Sequence, residues 1–168
     1  MPKPKQPSLA TLAIHGARDA HAHGDAVVEP LVQSVNHLQR PGTAEGLLYT
    51  RYGNTPNAAR VQKRLALLEG AESCLLLSSG MGATACALLA LLRPGDHLLT
   101  SQYIYGGTHR LFTEEFVRMG IDVEFVDPWE PRIWRKRIRK ETRAIFLETP
   151  VNPTCRVLDI RPISFLTK

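Results

Sequence analysis

A short apolar run, Leu75-Leu76-Leu77, passes through Ser78-Ser79 into Gly80-Met81-Gly82, and an alanine- and leucine-rich run then continues to Leu92. No other stretch narrows the possible folds as much. The first run is short, apolar and bounded by turn residues, which predicts a buried strand. Ala83 to Leu92 consists largely of strong helix formers and is closed by Arg93-Pro94-Gly95, which predicts a helix. Strand, serine-glycine turn, helix is how α/β proteins hold a phosphate. The first helical N–H groups lack internal partners, the helix dipole is positive there, and glycine lets the backbone approach an anion closely. The same turn also serves where a helix begins and holds nothing, so its company in the chain decides.

Beyond the turn, strands and helices alternate. His97 to Thr100, Ile121 to Val126 and Ala144 to Leu147 read as strands. Tyr105-Gly106-Gly107-Thr108 opens a helix with Leu111, Phe112, Phe116 and Met119 on its apolar side. Alternation of this kind predicts βαβ units and a mainly parallel sheet covered by helices on both faces. Ligands of such sheets sit at the carboxyl ends of the strands. The Ser79 turn, Tyr105 and Asn152 each follow a strand, so all three converge on one side.

Upstream, Thr55 with Pro56 predicts a helix start, Ala58, Val61, Leu65 and Leu68 mark one face, and Gly70 ends it. Tyr49 and Arg51 stand just outside that helix. A phenol and a forked cation suit a phosphate, and a plain surface loop would carry them as well. Thr11 to Gly16 predicts a short helix or turn, and Leu38 to Leu48, with Pro41-Gly42, reads as loop. Residues 1–8, with alternating proline and lysine, read as disordered. Residues 1–55 show no clear periodicity and are expected to form an N-terminal arm, with an incomplete α/β domain over 56–168.

The net charge of +5 is concentrated in Arg132 to Lys140. Trp134 and Ile138 are spaced i, i+4 there, which predicts a solvated outer helix with one apolar stripe rather than a nucleic-acid surface. No zinc-finger spacing or RNA-recognition signature accompanies the run. No apolar run is long enough to span a bilayer, and the basic N-terminus lacks the apolar core of a signal peptide. A cytoplasmic protein without membrane or nucleic-acid partners is the expectation. Cys74, Cys86 and Cys155 are scattered in or beside apolar segments and read as reduced structural thiols. Nothing near His21 and His23 completes a metal set. A nicotinamide-binding Rossmann domain is disfavoured, because no G-x-G-x-x-G follows the first strand.

Five stretches stand in an order and spacing that carry a resemblance. They are Tyr49-Thr50-Arg51-Tyr52-Gly53-Asn54, Leu67-Leu68-Glu69-Gly70-Ala71, Ser78-Ser79-Gly80-Met81, Tyr105-Gly106-Gly107-Thr108 and Glu148-Thr149-Pro150-Val151-Asn152-Pro153. From about Leu12 to Ile160 the chain resembles the trans-sulfuration, or Cys/Met metabolism, family of pyridoxal-phosphate (PLP) enzymes, which includes cystathionine γ-synthase, cystathionine lyases and methionine γ-lyase.

The resemblance implies a truncated large domain of a fold type I PLP-dependent transferase, with PLP as cofactor. Gly80 and Met81 look like backbone donors to the PLP phosphate. Tyr49 and Arg51 resemble the pair that reaches the phosphate of a neighbouring subunit, which implies a homo-oligomer. Tyr105 looks like the ring stacked on the pyridine and, through its phenol, a catalytic proton-transfer group. Asn152 resembles the amide that bonds the cofactor's phenolate oxygen, and Glu148 receives no role. The implied substrate is a sulfur amino acid or an O-acylated homoserine, undergoing C–S bond lysis or γ-replacement. One departure is local: the family's usual Gly-Asn-Pro-Thr appears as Gly53-Asn54-Thr55-Pro56-Asn57, which predicts a helix start shifted by one residue. A larger departure is length. Family members are more than about twice as long, and their Schiff-base lysine lies beyond the Asn-Pro stretch. Lys168 is not read as that lysine, because the segments that precede it in the family are missing. The alternative to an enzyme cut short is a non-catalytic remnant that binds a phosphate compound or pairs with a full-length relative.

Overall fold

The computed structural model describes residues 7–18, 26–38 and 48–165. Most of the first eight residues, His21, His23, Pro41-Gly42 and Lys168 lie outside the described residues, so the expectations placed on them stay there. The chain divides into two compact units, Met1–Leu77 and Ser78–Lys168.

In the first unit, α1 (Leu9–His15) is capped by Ser8, whose Oγ accepts from the Thr11 N–H at 3.2 Å. A 3₁₀ turn over Thr50–Tyr52 ends at Gly53, whose φ of 64° only glycine adopts freely. Helix α2 (Pro56–Glu69) starts at proline and stops at Gly70, φ 63°. Thr55 occupies the cap position but its side chain makes no capping bond; the fixed φ of Pro56 sets the start instead. Asn57 pins the arm to this helix, donating to the Val32 carbonyl at 2.8 Å and accepting from the Val32 N–H at 3.0 Å. The predicted apolar face of α2 is not a buried core. Val61, Leu65 and Leu68 line an open groove with Leu31, and Ala66 is the buried residue of the helix.

The strand expected at Leu75–Leu77 does not form. The segment joins no sheet, and Leu75 and Leu76 are exposed. Strand pairing needs a neighbour to take up the backbone groups, and among the described residues this segment has none.

In the second unit, α3 (Gly80–Leu91) leads to β1 (His97–Ser101), α4 (Gly106–Arg110), β2 (Asp122–Val126), α5 (Pro131–Arg137), β3 (Thr142–Phe146) and α6 (Arg161–Ser164). Helix α4 continues through a π-helical segment, Leu111–Phe116. The three strands are parallel in the order β2-β1-β3, with His97 opposite Asp122 on one side and Thr142 on the other. All five residues of β1 are buried, as the centre of a parallel sheet requires.

Adjacent strand residues point to opposite faces, and β1 divides the core accordingly. Leu98 packs with Leu88, Phe112 and Phe116 from α3 and the π segment. Leu99 packs with Trp134 and Ile163 from α5 and α6. Helices therefore pack on both faces. Met119, expected on the apolar side of its helix, is 46% exposed, because the wider π turn and the closing turn at Gly120 carry it off that stripe. Trp134 is fully buried while the basic residues around it are solvated, which matches the reading of α5 as an outer helix. The cysteines are free. No helix among the described residues is long and apolar enough to cross a membrane.

Candidate functional site

The connection from β1 to β2 runs over one sheet face, and the connection from β2 to β3 runs over the other. Where crossovers part in this way, a crevice opens at the carboxyl ends of the strands. Tyr105 leaves β1 and Glu148 leaves β3 at that crevice. The Tyr105 backbone N–H donates to Glu148 Oε2 at 2.8 Å, so the two exits are joined directly.

Tyr105 is also the N-cap of α4, and its own side chain makes no capping bond. The Glu148 carboxylate accepts instead from the cap residue's own N–H, and its charge suits the positive end of the helix. The Tyr105 ring is half-exposed and lies over Gly107. A Cβ on residue 107 would stand 2.6 Å from the ring's Cε1, so glycine is what leaves room for the ring in this position.

Gly80 and Met81 open α3. Ser79 caps the helix by accepting the Gly82 N–H at 3.0 Å. Among the described residues the N–H groups of Gly80 and Met81 meet no acceptor, and nothing stands within 4 Å of where a Gly80 Cβ would be. This is an anion-binding geometry at the start of a twelve-residue helix. The Met81 sulfur accepts from the buried Thr108 hydroxyl at 3.6 Å, which ties the start of α3 to the helix that Tyr105 opens. The sequence-predicted residues Gly80, Met81 and Tyr105 are thereby brought into one neighbourhood.

Asn152 is exposed on the loop after β3. The loop is folded back on itself: the Val151 N–H donates to the Arg156 carbonyl at 2.8 Å, and the Cys155 N–H to the Val151 carbonyl at 2.7 Å. Val151 is buried and anchors it. No hydrogen bond joins Asn152 to Tyr105 among the described residues. Tyr49 and Arg51 belong to the first unit. There the Arg51 guanidinium lies 5.6 Å from the centre of the Tyr49 ring, and the Tyr49 N–H donates to Asn54 Oδ1 at 2.9 Å. Arg51 is exposed.

Sequence reasoning left Glu148 without a role. The signal was present: a helix start lacking Ser, Thr, Asp or Asn at its cap, and a carboxylate at the end of another strand of the same sheet.

The chain is similar to known proteins along almost all its length. The family described as Cys/Met metabolism PLP-dependent enzyme matches residues 10–168. A probable cystathionine gamma-synthase of Herpetosiphon aurantiacus is 38% identical over 161 residues, covering 95% of this chain and 49% of that protein. Human cystathionine gamma-lyase is 37% identical over 154 residues, covering 90% and 38%. The crystal structure of metB from Corynebacterium glutamicum superposes with a TM-score of 0.88 at 31% identity, covering 96% of this chain and 42% of that one. The chain thus spans half or less of the length of the relatives it matches.

Proposed function

The chain belongs to the Cys/Met metabolism family of PLP-dependent enzymes, and from that premise we propose that it forms the cofactor-holding half of an enzyme acting on sulfur amino acids or O-acylated homoserines. The observation that carries the reading is the pairing at the crevice of an open helix start, at Gly80 and Met81, with a half-exposed aromatic ring, at Tyr105. That donor set fits a phosphate ester attached to a flat heteroaromatic ring.

In this reading Gly80 and Met81 donate their N–H groups to the phosphate, with the α3 dipole behind them. Tyr105 covers one face of the ring and excludes water from it, and its phenol holds or moves a proton at the phenolic oxygen. Asn152 supplies an amide donor to the ring's oxygen substituent. Tyr49 and Arg51 reach the phosphate of a second copy. When bound, PLP supplies the electron sink for the bonds around an amino acid's α-carbon. A second reading rests on the same helix start alone: a non-catalytic module that binds a phosphate compound.

Calorimetric titration of the chain with PLP, with and without inorganic phosphate, tests the site. The expected outcome is PLP binding that millimolar phosphate competes away. PLP binding indifferent to phosphate would remove Gly80 and Met81 from the site, and no binding of either would remove both readings. C–S lysis or γ-replacement by the chain would exclude the non-catalytic alternative.

A further inference from the structure

We infer that Glu148 is a positioning residue: its carboxylate, bound to the Tyr105 backbone N–H, holds the Tyr105 ring in place at the mouth of the crevice. Three observations converge. The hydrogen bond spans 43 residues of sequence at 2.8 Å, so it fixes two strand exits to each other rather than stabilising a local turn. The helix that Tyr105 opens has no side-chain cap of its own, and of the open donors at its start the Tyr105 N–H is the one Glu148 satisfies. Tyr105 is 50% exposed, and its ring leans over a residue without a side chain. Backbone fixation at residue 105 is therefore what sets where the ring stands.

Glu148 is half-buried, and its Oε2 is committed to the Tyr105 N–H. It acts through Tyr105. The consequence for a ligand rests on the proposal that Tyr105 covers the PLP ring; the positioning of Tyr105 does not.

The experiment separates the two. The chain has four tyrosines, Tyr49, Tyr52, Tyr103 and Tyr105. Labelled with 3-fluorotyrosine, it gives resolvable fluorine resonances, with Tyr105→Phe assigning the one of interest and Tyr49 and Tyr52 serving as controls. Glu148→Gln retains an acceptor oxygen at the same reach and is expected to keep the Tyr105 resonance in place. Glu148→Asp withdraws the carboxylate by one methylene and is expected to move that resonance toward free fluorotyrosine, leaving the controls unmoved. Glu148→Ala should do the same; if it fails to fold, moving all four signals, the aspartate variant decides. An unmoved Tyr105 resonance in Glu148→Asp overturns the proposal. In parallel, PLP affinity should fall on the order of tenfold in Glu148→Asp and fall no further when Tyr105→Ala is added. Additive losses would mean that Glu148 touches the ligand itself, which also overturns positioning. If the parent chain binds no PLP, the cofactor reading fails and the fluorine spectra still decide the role of Glu148.

Discussion

Nδ1 of His97 lies 2.7 Å from Oγ1 of Thr142, across the β1–β3 pair, at the start of both strands. Thr142 Oγ1 also accepts from the Arg139 N–H at 2.9 Å. A hydroxyl that accepts from Arg139 can give its own hydrogen to Nδ1 or accept a second bond from it. The ring's Nε2 lies 3.5 Å from Glu124 Oε2 on β2. His97 is fully buried and bonded to β3, while among the described residues its Nε2 makes no hydrogen bond.

Burial, and next the nearby Arg139 guanidinium, hold the His97 pKa below its ordinary value against the opposing pull of Asp122, Glu124 and Glu141. The folded chain therefore binds this proton less tightly than the unfolded chain. Stability is expected to be complete above the ordinary histidine range, about pH 6.5, and to fall as pH drops through it. Urea denaturation midpoints at a series of pH values check this. His97→Asn, which keeps a donor and acceptor near Thr142, should flatten the slope between about pH 7.5 and 5.5; an identical slope would show that other groups carry it.

Trp134 is the largest fully buried side chain, yet its Nε1–H has no acceptor among the described residues. Trp134→Ala is expected to cost about 3–5 kcal/mol. Trp134→Phe gives up volume but also removes an unpaired buried donor, so it should stay within about 1.5 kcal/mol of the parent. Equilibrium unfolding of both variants tests the difference; equal losses would mean that the indole nitrogen is satisfied.

Gly107→Ala places a methyl group where the Tyr105 ring now stands. The ring is a movable side chain, and alanine is the better helix former by about 1 kcal/mol, so the melting temperature should hold or rise. Affinity for PLP should fall about three- to tenfold, the worth of an aromatic contact, while affinity for inorganic phosphate stays level. A parallel loss for both ligands would place residue 107 in the phosphate contact instead.

Much of this was legible in the chain. The strands at His97, Ile121 and Ala144 announce themselves because short β-rich runs between turn residues have little else to become. Helix α2 reads from Pro56, whose ring fixes φ for the first turn, and from Gly70, which adopts the positive φ of 63° that ends it. Leu75–Leu77 misled because an apolar run states that burial is wanted, not that a neighbouring strand is within reach. Val61 and Leu65 misled in the same way: periodicity finds the face of a helix, while its burial depends on what packs there. Motif order named Gly80, Met81 and Tyr105 as candidates, and the structure sets Met81 against Thr108 on the helix that Tyr105 opens. Glu148 was not, because a cap supplied from 43 residues away leaves no local pattern.

Arg51 supplies the last test. Its guanidinium is exposed and meets the Tyr49 ring at 5.6 Å, a contact that steadies the side chain without occupying its hydrogen-bond donors. If this pair reaches the phosphate of a second copy, its contribution to binding appears only where copies associate. Arg51→Ala should then weaken binding of a phosphate compound at chain concentrations that sedimentation shows to be dimeric, and leave it unchanged at concentrations that are monomeric. A conservative Arg51→Lys keeps the charge but not the fork and should recover part of the loss. An equal loss in dilute, monomeric chain would mean that Arg51 serves its own copy, and the shared-site proposal would fall while the sites at Gly80 and Tyr105 stood unaffected.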